Sequence, residues 1–120
     1  MHWLAPEIVK GQPYSKEIDI WSFGALAHEL ASGQPPFQQF IIGNRCNIYH
    51  AIVSKEVPFV ADRSTEFNDL ISKCLKKDNS QRLTIAEVLK HEFLRDAPTH
   101  KQRWKDDYLQ FKDRLSDRED

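Results

Sequence analysis

The chain has 120 residues, 40% of them hydrophobic and 29% charged, with a formal net charge of -1. That length supports one small domain with a modest buried fraction, and the balanced charge excludes the basic excess that draws a protein to nucleic acid or an anionic membrane. Cys46 and Cys74 form no CxxC pair and have no matched histidine spacing, so a zinc site or structural disulfide is not expected and Cys74 reads as core.

No apolar segment follows a basic start, and no apolar run is long enough to span a bilayer. A cytosolic or nuclear setting is expected, without secretion or a membrane partner. The opening, Met1-His2-Trp3-Leu4-Ala5-Pro6-Glu7-Ile8-Val9, allows at most a short helix whose first turn accepts Pro6, because a first-turn N–H has no helical partner. Gly11-Gln12-Pro13-Tyr14-Ser15 breaks it. Over residues 17–32, Ile18, Ile20, Trp21, Phe23, Ala25, Leu26, Ala27, Leu30 and Ala31 populate every side of a helical wheel, which predicts a helix buried all round. Gly33 and Pro35-Pro36 stop it.

Residues 34–44 read as a loop, yet Phe37, Phe40, Ile41 and Ile42 give it apolar surface that should pack or bind. A short helix is expected near 47–53, with an irregular stretch running to Arg63. From the candidate N-cap Ser64, Phe67, Leu70, Ile71, Cys74 and Leu75 fall at the spacing of a helix that buries one face. Thr84-Ile85-Ala86-Glu87 is a capping-box pattern, and Ile85, Val88 and Leu89 continue it as an apolar stripe before Pro98 closes the run. The charged tail from Thr99 carries Trp104, Tyr108, Phe111 and Leu115 at near-helical spacing, predicting an amphipathic helix that docks on an intramolecular or protein partner. With no strand alternation, the fold class is mainly α.

Function enters through ordered motifs. Trp3-Leu4-Ala5-Pro6-Glu7, Asp19-Ile20-Trp21-Ser22-Phe23-Gly24, Gly33-Gln34-Pro35-Pro36-Phe37, Arg82-Leu83-Thr84 and His91-Glu92-Phe93-Leu94 together resemble the protein kinase superfamily from its A-P-E element onward. The resemblance covers residues 1 to about 95 and implies the helical C-lobe portion of the kinase fold, without the N-lobe β-sheet; residues 96–120 form a separate charged tail. His2 before Trp3, the Ser32 to Phe37 ending and the last two motifs are most similar to Ser/Thr kinases of the Ste20-like type.

The resemblance also implies roles. Trp3 and Leu4 occupy the loop that contacts the peptide beside its phosphorylated hydroxyl, and Glu7 and Arg82 stand where the family forms a buried ion pair. The bland alternative leaves Arg82 exposed. Asp19 matches the aspartate that accepts backbone N–H groups of the catalytic loop; it also suits a helix N-terminus through the dipole alone. Leu26 and Leu30 match positions supporting the nucleotide-side hydrophobic stack, and equally suit any helix core. Glu29 matches an acidic position that meets a basic peptide residue, although a nearby lysine or backbone donor would satisfy it as well. The five histidines show no ligand-like spacing to one another, so no metal ligand is assigned.

Phosphoryl transfer needs a Gly-rich phosphate loop, a strand lysine, a catalytic aspartate and Mg²⁺ held by aspartate and asparagine. This sequence contains no G-x-G-x-x-G, V-A-I-K, H-R-D-L-x-x-x-N or D-F-G, so no catalytic residue is assigned and the isolated chain is expected to be inactive. ATP and Mg²⁺ are implied for a full kinase domain only. Met1 stands where the family pattern usually has proline, and the expectation is a truncated part of a longer Ser/Thr kinase that binds peptide substrate and docks on the missing N-terminal part. The alternative is a non-catalytic, kinase-derived protein–protein interaction module.

Overall fold

Helix ends are fixed by side chains that the backbone needs. Ser64 Oγ accepts the Phe67 N–H at 3.0 Å, and Asn47 Oδ1 accepts the His50 N–H at 2.8 Å. Thr84 Oγ1 accepts from Glu87 N at 3.2 Å while the Glu87 carboxylate accepts from Thr84 N at 3.0 Å, the reciprocal pattern expected from the sequence. Gly33 ends the long second helix at φ 83°, where only glycine sits without strain, and its N–H donates to the Glu29 carbonyl at 2.8 Å.

These signals delimit α1 (Pro6–Val9), α2 (Glu17–Ser32), α3 (Gln38–Ile41), α4 (Ile48–Ser54), α5 (Thr65–Cys74), α6 (Ile85–Leu89) and α7 (Lys101–Glu119), with 3-10 turns at Asn79–Gln81 and Glu92–Leu94. The computed structural model describes residues 3–41, 47–95 and 101–119, and no strand occurs among them. Expectations resting on His2, Ile42, Cys46, Pro98 and His100 lie outside the described residues. Among those described, no helix is long and apolar enough to cross a membrane.

The core forms where α2 crosses α5. Trp21, Ala25, Phe37, Ile52, Phe67, Ile71 and Leu75 join the main cluster, and Ile20, Leu70, Cys74 and Val88 form a second one. Gly24 permits the close approach: a Cβ there would stand 2.8 Å from Cys74 Cβ and 3.1 Å from Leu75. Cys74 is fully buried, and burial pushes its thiol up to about 12, which keeps it protonated and inert.

Three expectations are corrected. The stretch at 34–44 contains the short helix α3, because Phe37 turns inward and stacks on Trp21 with ring centroids 6.1 Å apart and planes 9° apart. α2 is not buried all round: Ile20, Trp21, Gly24, Ala25 and His28 face inward, whereas Phe23, Leu26 and Leu30 are 40%, 50% and 78% exposed. α5 covers one face, and the described residues leave the other only partly covered. In α6 only Val88 is buried; Ile85 and Leu89, which flank it on the helix, are exposed. The tail forms the expected helix, but Tyr108 and Phe111 are exposed; the side chains of Trp104 and Leu115 lie outside the described set.

Candidate peptide-binding surface and its buried ion pair

The chain enters α1 through Trp3-Leu4-Ala5. Ala5 is buried and anchors the segment, which leaves Trp3 and Leu4 at the surface, 41% and 36% exposed. Ser22, on the outer side of α2, donates from Oγ to the Trp3 carbonyl at 3.5 Å, so the segment lies beside the first half of that helix. Leu26 and Glu29 follow Ser22 at helical spacing on one face, with Glu29 roughly 10 Å further along the axis by the rise per residue. The structure therefore aligns Trp3, Ser22, Leu26 and Glu29 along one edge, with Leu30 exposed beside them. Asp19 is exposed in the first turn of α2, where the dipole favours a carboxylate.

A buried ion pair holds α1 to the C-terminal segment. Arg82 Nη2 donates to Glu7 Oε1 at 2.6 Å and Nη1 to Oε2 at 2.8 Å, with the two side chains 0% and 4% exposed. The remaining donors are also placed: Nε reaches the Lys76 carbonyl at 2.8 Å, Nη1 the Glu17 carbonyl at 3.0 Å and Nη2 the Lys77 carbonyl at 3.4 Å. All five guanidinium N–H groups thus have an acceptor. Burial by itself would raise the Glu7 carboxyl, but the Arg82 hydrogen bonds and charge, the Glu7 backbone N–H and the Asn79 side chain outweigh it and hold the group below its ordinary value. The arrangement is a three-way junction of α1, the start of α2 and the loop after α5; it positions and does no chemistry.

Sequence reasoning missed Lys77, which reads as part of the charge run Lys76-Lys77-Asp78. Its Nζ donates to the Ile52 carbonyl at 2.6 Å and sits 4.4 Å from the Phe37 ring centroid and 5.3 Å from that of Trp21. Arg82 also lies over Trp21, at 5.1 Å. Burial lowers the Lys77 ammonium to about 8; Glu56 opposes the shift and Arg82 adds to it. The Trp21 indole N–H is buried with no hydrogen-bond partner among the described residues, so cations, and not an acceptor, meet this ring. No sequence pattern signals such a cage.

His91 is likewise more than a solvated histidine. Its Nδ1 accepts from the Phe93 N–H at 3.0 Å, so Nε2 carries the proton and donates to Asp69 at 2.8 Å. This tie brings Phe93 edge-on to Phe67, centroids 5.2 Å apart, and fixes the end of the lobe on α5. His28 is buried on α2, its ring nitrogens 3.3 Å from the Pro58 carbonyl and 3.4 Å from Ser32 Oγ, and burial lowers its basicity.

The side chains present do not fit Mg²⁺-ATP. Among the described residues no three His, Cys, Asp or Glu side chains cluster as a metal site, and the acidic groups on this edge, Asp19 and Glu29, stand ten residues apart on one helix. The side chains along this edge offer apolar surface at Trp3 and Leu26 and a carboxylate at Glu29.

Residues 1–94 match the protein kinase domain family. The chain is 36% identical to the serine/threonine-protein kinase pakB of Dictyostelium discoideum, over 80% of this chain and 11% of the relative. It is 41% identical to the serine/threonine-protein kinase hippo of Drosophila melanogaster, over 79% of this chain and 14% of the relative. With Aurora kinase C of Mus musculus the identity is 34%, over 80% of this chain and 34% of the relative. The chain thus spans a small part of the length of these relatives. It belongs to the protein kinase family.

Proposed function

We propose, from that membership, that this chain is the peptide-substrate-binding and scaffolding part of an ATP-dependent Ser/Thr protein kinase, with ATP and Mg²⁺ held by other parts of a complete domain. The observation carrying this reading is the edge that sets exposed Trp3 and Leu4 beside Ser22 of α2, on the helix face that also carries Glu29. On it, Trp3 and Leu4 contact the peptide next to its hydroxyl and Glu29 receives a basic peptide residue. Asp19 positions the catalytic loop of the complete domain, and Leu26 and Leu30 support its hydrophobic stack. Exposure of Phe23, Leu26 and Leu30 supports this assignment, since an apolar face of that kind is stable when covered. Residues 1–95 form the lobe and 96–120 an appended tail, in a cytosolic or nuclear protein.

The test is phosphorylation of peptide arrays by the protein at its native length. Glu29→Arg should reverse a preference for basic residues N-terminal to the phosphosite while leaving turnover of neutral peptides intact. An unchanged preference removes Glu29 from the peptide site, and no transfer under any condition removes the kinase reading. A second reading, a non-catalytic interaction module, is favoured by one observation: the ion-pair junction and the two core clusters are complete within these residues. A cooperative thermal transition for residues 1–120 alone would favour it, whereas a molten state with exposed apolar surface would not.

A further inference from the structure

We propose that α7 pairs with α7 of a second copy of this chain as a short parallel coiled coil. The helix runs 19 residues, Lys101–Glu119, and its sidedness has a period the lobe does not explain. Trp104, Tyr108, Phe111 and Leu115 are separated by four, three and four residues, the alternation of a heptad seam and not of a helix packing on a globular core. In that register Tyr108 and Leu115 take position a, and Trp104 and Phe111 take position d. Tyr108 and Phe111 are 52% and 57% exposed, so the seam is open to solvent over its described part. Leu109, at b, is the one large apolar residue off the seam.

Charge identifies the occupant and its direction. Positions flanking the seam are Asp107 and Arg114 at g, and Lys105, Lys112 and Glu119 at e. A parallel pair sets each g residue against the e residue five positions on in the other copy, matching Asp107 with Lys112 and Arg114 with Glu119. Both pairs are opposite in sign. An antiparallel pair sets e against e and g against g, so the attraction of Asp107 for Arg114 is offset by the repulsion between Lys105 and Lys112, and fewer of its flanking pairs are attractive than in the parallel pair. Folding back onto the exposed face of α2 is less complementary: Asp19 and Glu29 border Phe23, Leu26 and Leu30, and they meet only one sign of the alternating flanks. A seam of about two heptads buries less than the roughly 1,200 Å² of a stable specific interface, so the pairing is weak and concentration-dependent.

Sedimentation equilibrium of the protein at its native length tests this. The expected result is reversible monomer–dimer exchange that Phe111→Ser abolishes. Asp107→Lys and Lys112→Asp should each weaken it about tenfold, since each turns two attractive pairs into repulsive ones. Mixing the two variants should restore dimers, as heterodimers with both pairs attractive again. All three positions are exposed, and circular dichroism verifies that helix content is unchanged. A monomer at every concentration overturns the proposal. So does a dimer indifferent to the three variants, which would use another face, and so does a mixture that fails to recover.

Discussion

Glu7 and Arg82, 75 residues apart in the chain, meet in a two-point ion pair of 2.6 and 2.8 Å inside the protein. Arg82 also holds the carbonyls of Glu17, Lys76 and Lys77, so the pair is one part of a five-acceptor junction. A buried pair in isolation is often replaceable by well-packed apolar residues, while breaking one side strands a charge.

Glu7→Ala is therefore expected to cost about 3 to 5 kcal/mol. The double variant Glu7→Met with Arg82→Met should recover little of that, because three backbone carbonyls lose their donor. Urea denaturation of both variants measures the difference. Recovery to near the parent stability would mean that the carbonyl contacts contribute nothing.

The same pair sets an acid dependence. Since the folded state holds the Glu7 carboxyl below its ordinary value, its contribution is complete above the usual carboxylate range and is lost as pH falls through the folded value. Asp69, lowered first by the His91 hydrogen bond and then by Lys73, acts in the same direction. Denaturation midpoints should fall with acid less steeply in Glu7→Gln than in the parent.

Lys77 gives the opposite end of the scale. Its ammonium is lowered from 10.5 to about 8, so between those values the unfolded chain binds more protons and stability rises with pH. Lys77→Met keeps the stem and removes the titration, so its midpoints should be flat from pH 8 to 9 and fall above that, where the buried Cys74 thiol resists deprotonation. A parent protein that loses stability from pH 8 to 9, below the Cys74 titration, would show that the cation over Phe37 and Trp21 outweighs its burial.

Gly24 and Gly33 fail differently when changed to alanine. At Gly24 the new methyl meets Cys74 and Leu75, and overpacking should cost about 1 to 3 kcal/mol despite the better helix propensity. At Gly33 there is open space but φ is 83°, so the cost is conformational, about 1 kcal/mol. Thermal unfolding distinguishes them through the double variant Gly24→Ala with Cys74→Gly, compared with Cys74→Gly alone: removing the Cβ that the new methyl meets should relieve the first cost, and the second has no such counterpart.

Leu30 is 78% exposed, and Leu30→Ser should change the stability of residues 1–120 by less than about 0.5 kcal/mol. In a native-length protein whose other parts cover α2, the same change should cost about 1 to 3 kcal/mol. Equal effects in both would mean that the face stays open.

Local signals were legible because they rest on neighbours in the chain. Ser64, Asn47 and the Thr84–Glu87 box satisfy backbone groups within three residues, and the spacing of Phe67, Leu70, Ile71 and Cys74 follows from helical geometry alone. The ordered motifs carried the kinase family and the C-lobe portion of its fold. Composition could not say which side of α2 is covered, since an evenly apolar wheel has no preferred face; α5 and the small Gly24 contact chose it. Nor did Lys77 differ in sequence from Lys76 beside it. Only the tertiary structure, by bringing Ile52, Phe37 and Trp21 around its ammonium, made one lysine of that run a half-buried cation, because long-range packing and not local pattern sets the dielectric a charge experiences.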